Sequence, residues 1–122
     1  MLYSEKGYGD TAVEARLLSA VTGIETTEEE LNRFGERIIN LERAIMIREG
    51  RTRKDDESVT PYFQKPDRDG ILLDTAQFSR LIDEFYELRG WNKSTGRPTR
   101  EKLEELDLRE VADELDKLGL LG

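Results

Sequence analysis

Between residues 28 and 49 the side chains Leu31, Phe34, Ile38, Leu41 and Ile45 advance in steps of three, four, three and four. That spacing puts them in one narrow stripe of an α-helix, the kind that packs lengthwise against a second helix. Ile39, Met46 and Ile47 widen the apolar surface in the second half. From Glu28 to Glu49 such a helix runs roughly 33 Å, at about 1.5 Å per residue. Thr27-Glu-Glu-Glu30 forms a capping box at its start, with acids on the positive end of the dipole. Gly50 supplies a left-handed residue to close it. Gly35, inside the helix, costs up to about 1 kcal/mol relative to Ala, so a close crossing by another helix is expected there.

The rest of the chain follows the same period. Residues 1–10 show no periodicity and read as a flexible lead-in. Thr11-Ala-Val-Glu14 has the form of a capping box, followed by Val13, Leu17, Leu18 and Val21 at helical spacing and Gly23 as a stop. Asp74-Thr-Ala-Gln77 opens a helix over 75–89, with Leu73 and Phe78 at the staple positions. Its apolar face is Phe78, Leu81, Ile82, Phe85 and Tyr86. Gly90 ends it, and Trp91 is expected to fold back onto Tyr86. Pro98 and Thr99 start a short helix carrying Leu103 and Leu106. Asp107-Leu-Arg-Glu110 starts a last one carrying Val111, Leu115 and Leu118, stopped by Gly119. No strand pattern competes. The expected class is all-α, with about five helices in a single domain over 11–119. Two long helices (28–49 and 75–89) pack in antiparallel fashion, joined by short helices and an irregular loop over 51–70.

Composition narrows the chemistry. The 122 residues include 27 acids and 19 Lys or Arg, a formal charge of −8, with no cysteine and no histidine. Zinc fingers, thiolate-ligated clusters, Cys or Ser–His nucleophiles and facial-triad iron sites are therefore excluded within this chain. Carboxylate chemistry, Mg²⁺ or Ca²⁺ binding and protein–protein contact remain. The acidic balance argues against a nucleic-acid surface, which needs clustered cations. No apolar run is long enough for a membrane span and no signal peptide is visible, so a cytoplasmic protein is expected. The apolar share, 36%, is low for a free-standing domain and the charged share, 38%, is high.

Few residues invite chemistry. Asp55, Asp56 and Glu57 lack the alternating ligands and central glycine of a Ca²⁺ loop and read as a solvated turn. Glu28 to Glu30 are explained by capping, and Asp113, Glu114 and Asp116 by the polar side of a terminal helix. No acid pair has a pocket to separate two pKa values. Arg48, Arg51, Arg53 and Lys54 are the one basic cluster. Dipole pairing and salt bridges to Asp55 and Asp56 outweigh an anion clamp or an inter-domain contact, because neighbouring carboxylates would compete with phosphate. Tyr62 and Phe63, adjacent aromatics in the long loop, suggest packing onto a neighbour.

Six blocks then stand in order: Leu17-Leu-Ser-Ala-Val-Thr-Gly23, Thr27-Glu-Glu-Glu-Leu31, Gly35-Glu-Arg-Ile-Ile-Asn-Leu-Glu-Arg43, Arg48-Glu-Gly-Arg-Thr-Arg-Lys-Asp-Asp56, Tyr86-Glu-Leu-Arg-Gly-Trp91 and Gly96-Arg-Pro-Thr-Arg-Glu101. Together, from about Val13 to Glu114, they resemble the C-terminal end of the tungsten-containing aldehyde:ferredoxin oxidoreductases. The resemblance implies a much longer subunit, with a β-rich domain and two helical domains around a tungsten–bispterin cofactor and a [4Fe–4S] cluster. Such enzymes oxidise aldehydes to carboxylic acids and pass electrons to ferredoxin. The matched blocks contain neither the cluster cysteines nor the pterin-binding Asp and Cys motif. No catalytic, cofactor-binding or metal-ligating residue is therefore carried over, and this chain alone is expected to be inactive. The implied role is structural: completing the helical wall and access channel against the remaining domains or a partner subunit. Arg48, Glu49, Gly50, Arg53, Asp55 and Asp56 are carried over as a family signature and, with Tyr62 and Phe63, as inter-domain candidates. The rival expectation is a free-standing helical interaction module or small subunit derived from that domain. The substrate stays open.

Overall fold

The computed structural model describes residues 11–58, 64–66, 68–72 and 74–122. The lead-in over 1–10, the staple residue Leu73 and the Tyr62–Phe63 pair lie outside the described residues. Six helices follow in order: α1 (Thr11–Thr22), α2 (Glu28–Arg48), α3 (Arg53–Asp56), α4 (Thr75–Arg89), α5 (Arg100–Glu105) and α6 (Arg109–Lys117). Among the described residues there is no strand, and Trp91 and Pro98 form an isolated antiparallel bridge. The all-α expectation holds. The helix not foreseen is α3, a single turn inside the stretch read as patternless. Four residues are too few to show a period. Its cap explains it: Thr52 N–H and Oγ1 both donate to Asp55 Oδ2, at 2.7 Å each.

The chain divides into two compact units, Met1–Ile39 and Asn40–Gly122, with the division inside α2. In the first unit Thr11, the first described residue, is already helical, so it does not stand at the cap position expected for it. Its hydroxyl donates instead to the Glu28 carboxylate. Ser19 Oγ accepts from Thr26 N–H at 2.9 Å and donates to Ala15 C=O at 2.9 Å, which fixes the connection between α1 and α2. The Thr27 capping box forms as read: Thr27 N–H donates to Glu30 Oε2 at 2.8 Å, and Glu30 N–H to Thr27 Oγ1 at 3.2 Å.

Among the described residues no close neighbour explains Gly35. A Cβ built there would have no other atom within 4 Å among the described residues, so nothing offsets the glycine's entropic cost. Gly35→Ala is therefore expected to stabilise this chain by about 0.5–1 kcal/mol. Thermal denaturation checks this, and an unchanged or lower Tm would show that the position needs its glycine.

In the second unit Ala44, Leu103, Leu106, Leu108, Ala112 and Leu115 form the buried core, with Val111, Leu120 and Leu121 packed on it. Thr99 caps α5, its Oγ1 accepting from Lys102 N–H at 3.3 Å. Asp107 was expected to start α6 but takes a left-handed conformation (φ +57°), and Leu108 stands at the cap position without a side-chain bond. The reason is the turn between α5 and α6. Leu108 N–H reaches back to Leu103 C=O at 2.8 Å, and this directs the Leu108 side chain into the core. Asp is one of the few residues besides glycine that enter the left-handed region readily.

The apolar stripe of α2 is the largest departure from expectation. In the first unit Phe34 and Ile38 are 46% and 59% exposed; in the second, Leu41 and Ile45 are 39% and 46% exposed. The buried residues of α2 are Asn40, Arg43, Ala44 and Ile47. These four also follow i, i+3, i+4, i+7, so the helix buries a face offset from its most apolar one. Burying Asn and Arg is costly unless their polar atoms find partners. They do.

Candidate functional site

Arg43, 5% exposed, is the centre of a cage in the second unit. Its Nε donates to Gly96 C=O at 2.8 Å, and its Nη2 donates to Asp56 Oδ2 at 2.6 Å and to the Tyr86 hydroxyl at 3.3 Å. Its guanidinium lies 4.6 Å from the Trp91 ring centroid and 5.4 Å from that of Tyr86. Two aromatic faces thus share its charge with Asp56. Trp91 Nε1–H donates to Asn40 Oδ1 at 2.8 Å, which explains how a fully buried amide is tolerated on α2.

Asp56 is the hub on the other side. Its side chain is 16% exposed and accepts from Arg43, from the Tyr86 hydroxyl and, through Oδ1, from Arg51 Nε at 2.7 Å. The solvated turn expected for Asp55 to Glu57 is thus overturned at Asp56, and its cause is the α3 turn. Capping turns Asp55 back onto Thr52, and the next residue then faces Arg43. Arg53 fastens α3 to its neighbours. Its Nε pairs with Glu57 at 2.8 Å, Nη1 donates to Asp83 and to Lys93 C=O, and Nη2 donates to Ser79 Oγ at 3.1 Å.

Local sequence delivers the aromatic wall. Gly90 (φ +69°) ends α4, with Trp91 N–H bonded to Tyr86 C=O at 2.8 Å and Gly90 N–H to Glu87 C=O at 3.2 Å. The Tyr86 and Trp91 rings are then 5.6 Å apart, as the Gly-Trp ending led one to expect, and Phe85 meets Trp91 edge-on at 5.5 Å. Next, Asn92 Oδ1 accepts from Ser94 and Thr95 N–H at 2.9 and 3.1 Å. This turn presents Gly96 C=O to Arg43.

Electrostatics define what the cage can do. Burial pushes the Asp56 carboxyl up, but hydrogen bonds from Arg43, Tyr86 and Arg51 outweigh it and hold the carboxyl down at about 2. Burial and the bond to Asp56 push the Tyr86 hydroxyl up to about 12. Neither group exchanges a proton near neutrality, so the pair does not suit general acid–base work. Among the described residues no three carboxylates converge on a metal site. The cage is a fastening device that fixes the segment from Arg51 to Glu57 against α2, α4 and the 92–97 turn.

The signature residues divide accordingly. Arg53 and Asp56 enter the network, Asp55 caps α3, and Gly50 takes φ +96° at the end of α2. Arg48 and Glu49 are exposed and meet only loosely, at 3.4 Å. Asn40, Arg43, Tyr86, Trp91 and Gly96 were not singled out as site residues. Two signals pointed to them: the i, i+3, i+4, i+7 spacing through Asn40 and Arg43, and the presence of all five inside the quoted blocks.

The family model described as aldehyde ferredoxin oxidoreductase, domains 2 & 3, matches residues 2–108, a span that holds every cage residue. The tungsten-containing aldehyde ferredoxin oxidoreductase of Pyrococcus furiosus is 33% identical over 96 residues, covering 77% of this chain and 16% of the relative. That of Thermococcus kodakarensis is 32% identical, with the same coverage. A chain in the active site complex BamBC of benzoyl coenzyme A reductase, solved in complex with 1,5-dienoyl-CoA, matches with a TM-score of 0.74 at 31% identity. That match covers 96% of this chain and 17% of the other. The chain thus spans about one sixth of the length of the relatives it matches.

Proposed function

Because the chain belongs to the aldehyde ferredoxin oxidoreductase family, we propose that it acts as a structural helical piece of an enzyme that oxidises aldehydes to carboxylic acids in the cytoplasm and passes electrons to ferredoxin. On this reading it completes the helical wall around the site and contributes no reacting group. The residues present do not fit the family's [4Fe–4S] cluster, which is held by cysteine thiolates, and this chain has none. Among the described residues no helix is long and apolar enough to cross a membrane. The comparisons do not favour the free-standing interaction module.

The observation that carries the structural role is the contrast within the second unit. The polar cage is satisfied internally, whereas Leu41 and Ile45 on α2 and Leu81, Phe85 and Leu88 on α4 stand exposed. A chain so poor in apolar residues leaves many of its large ones uncovered, as expected of surfaces that meet other domains. A chimera tests this, with this chain replacing the matching segment of the Pyrococcus furiosus relative. It is expected to load tungsten and oxidise aldehydes, while its Phe85→Glu, Leu88→Glu double variant loses both. A metal-free chimera, an unaffected double variant, or stoichiometric tungsten or iron in this chain alone would sink the reading.

A further inference from the structure

We propose that the concavity between the Gly50–Lys54 segment and the Ser94–Arg97 turn is a binding site for a phosphate-type oxyanion. It has a volume of about 380 Å³, and four cations line it: Arg51, Arg53, Lys54 and Arg97. No carboxylate lines it, in a chain of net charge −8. Sequence adjacency suggested that Asp55 and Asp56 would compete with an anion here. The fold engages both carboxylates in hydrogen bonds, and neither residue lines the cavity. Asp55 is turned back onto Thr52, and Asp56 is claimed by Arg43, Tyr86 and Arg51 on the cage side.

Arg53 is spent on Asp83, Glu57, Ser79 and Lys93 C=O, and acts as the wall. The other three cations keep donors in reserve. Arg51 uses Nε on Asp56, so its two Nη groups have no protein acceptor among the described residues. Arg97 uses Nη1 on Gly119 C=O at 3.0 Å, leaving Nη2. Lys54 is exposed and makes no ion pair among the described residues. The Thr95 hydroxyl accepts from Arg97 N–H at 3.3 Å and still has its proton to give. Two arginines and a lysine with spare donors, lining one cavity from separate backbone segments, suit a tetrahedral anion with three acceptor oxygens better than a two-oxygen carboxylate.

The test is a titration of the ¹⁵N-labelled 122-residue chain with inorganic phosphate at fixed ionic strength, with acetate as the control and phenyl phosphate as a second arm. Saturable amide shifts confined to Gly50–Lys54 and Ser94–Arg97 are expected, with none from acetate. Lys54→Gln and Arg97→Gln should each weaken binding roughly tenfold while the rest of the spectrum stays unchanged. Tighter binding of phenyl phosphate would identify the ligand as a phosphorylated molecule; equal binding would identify free phosphate. Non-saturating shifts, equal response to acetate, or full affinity in both variants would overturn the proposal. The chimera above has no bearing on this outcome, so the two readings fail separately.

Discussion

Asp56→Ala is expected to destabilise the chain by about 3–5 kcal/mol in urea or thermal unfolding, the largest effect of any single carboxylate removal. The cause is what remains: Arg43, 5% exposed, would keep its charge with no carboxylate partner among the described residues, held by Gly96 C=O, the Tyr86 hydroxyl and two ring faces. The Tyr86 hydroxyl would lose its acceptor in the same step. The acid limb of the stability profile should change as well. The Asp56 pKa is lowered from 3.8 to about 2, so its contribution is fully present above pH 3.8 and is lost as pH falls through about 2. That loss amounts to about 2 kcal/mol in the parent chain and should be missing from the variant. Tyr86 has the opposite sign: its pKa is raised from 10 to about 12, so its contribution is present below pH 10 and is lost as pH rises through about 12. The Tyr86–Asp56 hydrogen bond contributes to both limbs, so the two are not to be added. An Arg43→Met, Asp56→Leu double variant should lose less than either single change, because no charge is left stranded. A loss below about 1 kcal/mol for Asp56→Ala, with the acid limb intact, would mean that the aromatic rings and Gly96 suffice to hold Arg43.

Much of this fold is local and was therefore readable from the sequence. The Thr27–Glu30 box, the Asp74 cap, the Gly90–Trp91 ending and the Gly119 stop depend on residues within about six positions of one another, and each forms as spaced. The cage depends on residues far apart. Arg43 meets Asp56 across 13 positions, Tyr86 across 43 and Gly96 across 53. Helical periodicity carries no information on such pairings. The stripe through Leu41 and Ile45 misled for the same reason. An apolar stripe identifies a face that needs covering, and the cover need not come from the same segment. The resemblance did better than periodicity here, because its blocks contain the cage residues even though nothing in their spacing showed that they converge.

Gly96→Ala tests the geometry of the cage without touching any of its polar groups. Two costs coincide at this position. Gly96 has φ +71°, which costs an L-residue about 1–2 kcal/mol. A Cβ there would also overlap Arg43 Nη2 and stand 2.9 Å from the Tyr86 hydroxyl oxygen, in a cluster held by hydrogen bonds on every side. Overpacking of that kind adds about 1–3 kcal/mol. Gly119→Ala separates the two, since Gly119 has φ +67° and open space around a Cβ. It should lose only the conformational part, about 1–2 kcal/mol. The difference between the variants measures how tightly Arg43 and Tyr86 are clamped over the 92–97 turn. Trp91, the single tryptophan, faces Arg43 and should report the same displacement as a fluorescence change in the Gly96 variant alone. Equal losses for the two variants, with Trp91 emission unmoved, would show that Arg43 and Tyr86 yield to a methyl group without cost, and that the cage is not a rigid fastening.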